Sequence, residues 1–463
     1  MRVKSIEVHG LFGVFDHEIP LVSTDHVSII FGPNGFGKTV MLKMIAGVLT
    51  GDRTIFEHTP FREFSVRLDD GTQALVRRGV PRRGEGRRAK AKLEFLVRGR
   101  TGKALKVPPA QFPAEIPGPI LDEVDRRVPG LYRRAGGGWA DDEGKYYSLS
   151  EIVSLFPEAA AALPPGYRPP IFEILSEPKV FFIQADRLGG QRTREVLERE
   201  LRSARSYRVA MEEAPSPVLP RVEQYSRDLV ERIQAVLAEY AKHSQERDRT
   251  FPERLVRFAR EGQRALSEQD ILDKMAELEN KRRRLITLGL LDREKGLADL
   301  TQDDVRGAPE GLSIYVDDVT RKLEVFDDIA RRIGSLVDIV NGRFRYKRLS
   351  IDRERGFRVE SDLHQPIALE DLSSGEQHEL VLLYEILFHL PRNGLVLIDE
   401  PEISLHVAWQ SRFLADLIDI LKLADAYAIV ATHSPVIIGS RTDLMVELKG
   451  PSNSSERPAG SQD

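Results

Sequence analysis

Residues 32–39 read GPNGFGKT, and this stretch decides the fold. Gly32, Gly37, Lys38 and Thr39 stand at the fixed positions of G-x-x-x-x-G-K-[ST]. The flanks agree with it. Residues 27–31 (VSIIF) are a short apolar run of the kind a strand shows when both faces of a parallel sheet are covered. Residues 40–49 have helical spacing. Between a strand and a helix, such a loop turns backbone N–H groups toward phosphate oxygens, and the helix start adds its positive end. Gly32, Asn34, Gly35, Gly37, Lys38, Thr39 and Val40 are therefore expected to cradle a nucleotide. Lys38 reaches the β- and γ-phosphates, and the Thr39 hydroxyl is a ligand for Mg²⁺. The expected ligands are ATP and Mg²⁺.

Moving outward, residues 395–400 (LVLIDE) form an apolar strand that ends in two acids. Asp399 would hold the metal shell, and Glu400 would act as general base for the attacking water. Many strands end in an acid; here the upstream loop and the downstream ATHS (431–434) give the pair its meaning. His433 follows a predicted strand at 428–431 and reads as a γ-phosphate sensor that orients the water; the plain alternative is a capped strand end. Residues 372–377 (LSSGEQ) open a predicted helix over 376–390, which Ser373 or Ser374 can cap. Ser373, Ser374, Gly375 and Gln377 would present donors to a γ-phosphate held by another subunit, so the complete site needs a homodimer. Pro401, Glu402 and His406, in DEPEISLH, are expected to cross that subunit interface. Gln184, in FFIQADR, follows a predicted strand at 179–183 and reads either as a metal-sensing glutamine or as a plain strand-end residue.

Four segments follow. Residues 1–189 hold the loop, a hairpin whose DG turn joins alternating segments within 62–79, a third strand near 91–99, and a Pro- and Gly-rich insertion at 101–170. Residues 190–345 read as a helical insert. Within it Val316, Val319, Leu323, Phe326, Ala330, Ile333, Val337 and Val340 alternate spacings of three and four. This is either an amphipathic core helix or a short coiled-coil arm of about 40 Å, too short for a long rod. Residues 346–449 complete the head, and 450–463 form a small polar tail expected to be disordered.

Composition narrows the chemistry. With no cysteine among 463 residues, disulfides, thiolate metal sites and thiol catalysis are excluded. The net charge of −4 excludes a general polycation, so any nucleic-acid contact must be local. The start, MRVKSIEVHG, lacks the apolar run of a signal peptide, and no stretch approaches the ~20 apolar residues of a membrane helix. A cytoplasmic protein without a membrane partner is expected. Between 77 and 92, Arg77, Arg78, Arg82, Arg83, Arg87, Arg88, Lys90 and Lys92 are opposed only by Glu85. The loop is either a contact for double-stranded DNA phosphates or a solvated hairpin tip. It has too few aromatics for a base-stacking platform.

GPNGFGKT, LSSGEQ, LVLIDEPE and ATHSP, in this order, resemble the ABC-type ATPases of the RecF, SMC and OLD group, over about half the chain. The resemblance implies an α/β fold: a P-loop NTPase ABC-type head with an antiparallel β subdomain and an inserted helical lobe. It also implies slow ATP hydrolysis used as a switch, and dimers able to build higher oligomers. DEPExSLH and THSP look more like the RecF/OLD branch than like transporter subunits. With thirty residues after His433, the C-terminal nuclease domain of the OLD proteins is not expected. ATPases of this kind in anti-phage systems such as PARIS and Septu act with a separately encoded effector, and the expected function is such a sensor. A RecF- or SMC-like DNA repair or maintenance ATPase and a transporter ATPase subunit are the alternatives.

Overall fold

A computed structural model describes residues 2–21, 25–79, 93–99, 104–108, 116–125, 128, 131–134, 138–140, 146–155, 159, 163–164, 170–175, 180–184, 221–261, 264–292, 302–390, 392–403, 405, 407–448 and 450. The chain divides into two compact units, one formed by residues 1–218 with 388–463 and the other by residues 219–387.

The first unit opens with β1 (Val3–Leu11) and β2 (Phe15–Pro20), followed by β3 (Val27–Phe31), α1 (Lys38–Thr50) and α2 (Thr54–His58). Next come β4 (Glu63–Leu68), β5 (Gln73–Arg78), β6 (Leu93–Arg98) and β7 (Ala104–Lys106). All but β3 join one antiparallel sheet in the order β2-β1-β4-β5-β6-β7. Alternation sets the buried face: Ile6 and Val8 of β1 and Phe64 and Val66 of β4 point inward. The DG turn forms as the sequence predicts, with Gly71 at φ +85° and the Thr72 N–H donating to Asp70. Within the insertion lie the helices Gly118–Asp125 and Leu149–Leu155 and a small sheet of β8 (Tyr132–Arg133), β9 (Trp139–Ala140) and β10 (Tyr146–Tyr147), and the helix Pro170–Ile174 begins at its end. The strand β11 (Val180–Gln184) follows.

The second unit begins with α3 (Arg221–Glu261), a 41-residue helix about 60 Å long at 1.5 Å per residue. Then come α4 (Glu268–Thr287), α5 (Pro309–Glu324) and α6 (Asp327–Asn341). The three-four pattern of 316–340 is not one continuous helix. It breaks at Val325 and Phe326, where Asp327 and Asp328 supply the acids that favour a new helix start. Val316, Val319, Leu323, Phe326, Ala330, Ile333 and Val340 are buried, and α5 packs on α3 and α4. These are core helices of the lobe.

The unit continues beyond residue 345, where the sequence reading ends the insert, and runs on to 387. It takes in the hairpin β12 (Lys347–Asp352) and β13 (Gly356–Ser361), β14 (Pro366–Ile367), and α7 (Ser374–Tyr384). Side-chain bonds attach the hairpin to the helices. The Ser226 hydroxyl of α3 accepts from the Phe357 N–H at 2.8 Å and donates to the Arg355 carbonyl at 3.0 Å. Asn341 bonds both the N–H and the carbonyl of Leu349. The expected helix over 376–390 is α7 continued by a π-helical turn, Glu385–His389.

The chain returns to the first unit with β15 (Leu395–Asp399), α8 (Val407–Ala424), β16 (Tyr427–Thr432) and β17 (Met445–Glu447). The order β11-β15-β16-β3-β17 is parallel throughout. α1 lies in a core with residues from both sheets. Met41, Leu42, Met44, Ile45 and Leu49 are fully buried and belong to the cluster that holds Phe64 and Val66 as well as Leu397 and Ile429. A helix buried on all sides is held rigidly, which fixes the loop that precedes it. Among the described residues no helix is long and apolar enough to cross a membrane.

Candidate nucleotide site

The site lies at the carboxyl ends of the parallel strands, where ligands of open α/β sheets bind. Register brings its parts to one edge: Gln184 pairs with Asp399, Asp399 with Ala431, and Thr432 with Phe31. The loop 32–37 leaves β3 and enters α1 through Gly37, which has φ +85°. A Cβ there would lie 2.7 Å from Leu11 Cδ2, so the position needs glycine for both its conformation and its packing. Gly35, at φ +87°, makes the other left-handed turn. Asn34 is exposed on the loop, and Val40 packs half-buried in the first turn of α1. Gly32 lies close against Leu448.

Lys38 is buried, its ammonium donating to the carbonyls of Gly32 at 2.7 Å and Pro33 at 3.2 Å. These bonds close the loop on itself and hold a cation inside it. The Thr39 hydroxyl donates to Asp399 Oδ1 at 3.0 Å, joining the start of α1 to the end of β15. Burial pushes the Asp399 carboxyl up to about 6. Glu400 adds to that rise, while the Thr39 bond and the charges of Lys43 and Lys38 oppose it.

A hydroxyl and a carboxylate side by side are hard oxygen donors, the set that suits Mg²⁺. A buried carboxylate short of positive charge is a fitting partner for a cation. Among the described residues no cluster of three or more His, Cys, Asp or Glu could hold a metal. Mg²⁺ here would depend on phosphate and water for its other ligands, as its chemistry prefers.

Glu400 has φ +44°, uncommon for a residue with a side chain, and its N–H donates to Ala431 at 2.8 Å. The backbone thus turns sharply at the strand end. His433 follows β16, with Nδ1 3.8 Å from Glu400 Oε1 and 3.0 Å from Glu402 Oε1. Glu402, two residues beyond Glu400, turns inward. Its side chain is only 7% exposed, and Oε1 also accepts from the Thr432 hydroxyl at 2.7 Å and the His433 N–H at 2.9 Å. Gln410 of α8, likewise buried, donates to the carbonyls of Glu402 and Leu405 and accepts from the Ser434 hydroxyl. Sequence reasoning assigned no role to Gln410 and did not show that Glu402 turns inward, because nothing in the spacing of DEPEISLH reveals which acid does so. His406 lies outside the described residues, and Gln184 is placed by its backbone alone, at the end of β11.

In the second unit, Ser373 is the residue that caps α7. It forms a capping box with Glu376, whose carboxylate accepts from the Ser373 N–H and hydroxyl, each at 2.8 Å. Lys347 donates to the same carboxylate at 2.8 Å. Burial alone would raise the Glu376 carboxyl; Lys347 and Ser373 outweigh it and hold it below its ordinary value. Gln377 bonds the carbonyls of Glu370 and Leu372, bracing the turn from behind. Ser374 and Gly375 begin the helix, both half-buried.

Two cations of the basic stretch are engaged within the fold. Arg77 pairs with Glu63 at 2.7 Å, and Arg78 bonds the carbonyls of Thr59 and Glu57 at the end of α2. Residues 80–92 lie outside the described residues, as do 451–463 of the tail.

A glycine-rich loop entering a buried helix, an acid pair at the end of β15 in the same parallel sheet and a capped LSSGEQ turn define a P-loop ATPase head of the ABC and SMC-like kind. Residues 167–439, more than half of the chain, match the family described as AAA domain, putative AbiEii toxin, Type IV TA system, and the chain belongs to this family. The match takes in Gln184, the capped turn, the acid pair and His433; the loop 32–39 precedes it and stands on its own geometry.

A stretch of 67 residues is 40% identical to protein ea59 of Escherichia phage lambda, spanning 14% of this chain and 13% of that protein. Among solved structures, the Smc head domain with an extended coiled coil bound to the C-terminal domain of ScpA, from Pyrococcus furiosus, aligns at 14% identity and a TM-score of 0.33. That alignment covers 97% of this chain and 94% of the other. The SMC head domain from Thermotoga maritima aligns at 13% identity and 0.33, over 96% and 94%.

Proposed function

We propose that this chain binds ATP with Mg²⁺ in the loop 32–39, hydrolyses it slowly, and works as a switch in which two copies close over the nucleotide. The observation that carries this reading is the 3.0 Å bond from Thr39 to Asp399, beside a lysine buried on its own loop. On nucleotide binding, Lys38 exchanges two carbonyls for phosphate oxygens, and the loop N–H groups and the start of α1 take the remaining charge. Thr39 and Asp399, with Gln184 beside them, would hold Mg²⁺, which when bound neutralises charge on the phosphates. Glu400 receives the proton of the attacking water, and His433 contacts the γ-phosphate. Ser373, Ser374, Gly375 and Gln377 serve the nucleotide of the second copy, with Ser374 and Gly375 presenting the donors.

We place this switch in anti-phage defence, as the sensor that restrains a separately encoded effector. The family description, which names a putative toxin and a Type IV TA system, supports this reading. Lys38→Ala should weaken ATP binding more than 100-fold by calorimetry; an unchanged affinity would overturn the loop assignment. Glu400→Gln, purified from its host with ATP and Mg²⁺, should have the native mass of at least a dimer carrying a second protein. A bare dimer whose mass changes only with duplex DNA would replace the sensor with a RecF- or SMC-like repair ATPase.

A further inference from the structure

We infer that the first unit carries a second ligand site, at the amino ends of β3, β15 and β16, and that it takes a small organic carboxylate. The loop 32–39, the acid pair and His433 lie at the carboxyl ends of the same three strands. The site therefore stands a strand's length from the nucleotide and goes beyond the ATPase reading.

A cavity of about 190 Å³ opens there between the two sheets. Ser28 of β3, Leu395 of β15 and Tyr427 of β16 line it from the parallel sheet. Ser28 is the residue out of pattern. On its face of the sheet Ile30, Leu395, Leu397, Tyr427 and Ile429 join the apolar core. A serine at that place, 3% exposed, puts a hydroxyl where an aliphatic chain would pack. No described residue bonds this hydroxyl, and a buried hydroxyl without a partner costs stability. The Tyr427 hydroxyl is also buried without a partner. This wall holds more polar groups than the described protein satisfies, and Ser28 faces a space in which a bound acceptor would relieve one of them.

Charge selects the ligand. Arg2 and Lys4 line the cavity and are exposed, and neither side chain has an ion pair among the described residues. The Arg2 guanidinium rests 4.2 Å from the centre of the Tyr427 ring, on which His26 also stacks, at 4.6 Å. That places a cation beside the wall. Asp69 is the one acid of the lining, and its carboxylate already accepts from the Arg2 backbone N–H at 3.3 Å. Two cations against one acid favour an anion, and a guanidinium with a hydroxyl suits a carboxylate.

Volume and the apolar side chains of Val3, Leu21 and Leu395 set the rest of the molecule. A cavity of about 150 Å³ holds benzene. Pockets for drug-sized ligands begin near about 300 Å³, so a nucleotide is too large. A phenyl ring or a short branched chain fits.

Benzoate and 3-methylbutanoate, titrated into the full-length protein without nucleotide and followed by ligand-observed NMR, test this. At least one should saturate in the millimolar range or below, and its neutral amide should bind about 10-fold more weakly. Arg2→Gln and Ser28→Ala should each weaken the acid about fivefold. Ser28→Ala should unfold in urea as wild type does, because no protein bond is lost. Ser28→Leu, which fills the cavity, should abolish binding. Lys38→Ala should bind the acid as wild type does, whatever becomes of its ATP affinity, so this site and the nucleotide reading fail separately. Absence of saturation by both acids, equal affinity for acid and amide, or wild-type binding by both Arg2→Gln and Ser28→Ala overturns the inference.

Discussion

Gly37 shows how tightly a single position is constrained at this site. A side chain there would adopt a left-handed backbone and press on the fully buried Leu11. Gly37→Ala should cost about 2 kcal/mol from the backbone alone. Because the strain sits in the loop that cradles the phosphates, ATP affinity should fall with it, measured by urea unfolding and by calorimetry on the same protein. Unchanged stability would mean that the loop can turn differently. Asp399 and Glu400 divide the strand end: one is buried and bonded to Thr39, the other is turned out by a positive φ toward the histidine. Both residues were legible as an acid pair. Their separation into two environments was not, since it depends on the turn that follows β15.

At the scale of the element, α7 is the instructive case. Its first turn is polar and capped, while Glu379 to Tyr384 are buried in succession. Burial so complete leaves no amphipathic stripe, so the capping box is what marks its beginning. Ser373→Ala should cost about 1 kcal/mol near neutral pH. The acid limb follows from Glu376, whose folded carboxyl lies below its ordinary value of 4.5. That contribution is present above 4.5 and is lost as pH falls through the lower, folded value. Lys347→Met removes the ammonium holding it down, so the acid-dependent loss should be smaller and should end at higher pH, while still beginning near 4.5. Urea titrations between pH 3 and 7 would show this, and identical curves for wild type and Lys347→Met would remove Glu376 from the account. The same scale explains the element that pattern reading passed over. The 41-residue α3 is mostly exposed beyond Ile233; ion pairs from Arg247 and Arg254 to Asp318 tie it to α5, and Tyr240 packs against the buried Phe326.

For the whole molecule, a ligand that binds only the folded state adds stability by mass action. ATP with Mg²⁺ at 100 times its dissociation constant should stabilise the wild type by about 2.7 kcal/mol. Lys38→Ala should gain nothing at the same concentration, read as the shift of thermal unfolding. An equal shift in both would place the nucleotide elsewhere.

The sequence by itself determined the chemistry-bearing loop, the parallel strands around it, the antiparallel hairpin and the order of LSSGEQ, LVLIDE and ATHSP. These are local patterns: period, turn residues and spacing report on the chain close to them. Only the tertiary structure decided that the 316–340 pattern is two packed helices, that the hairpin at 347–361 belongs with the helical lobe, and that Glu402 turns inward to meet Thr432 and His433. Each of these depends on a partner distant in sequence. A buried acid and an exposed one look alike until the fold supplies the neighbour.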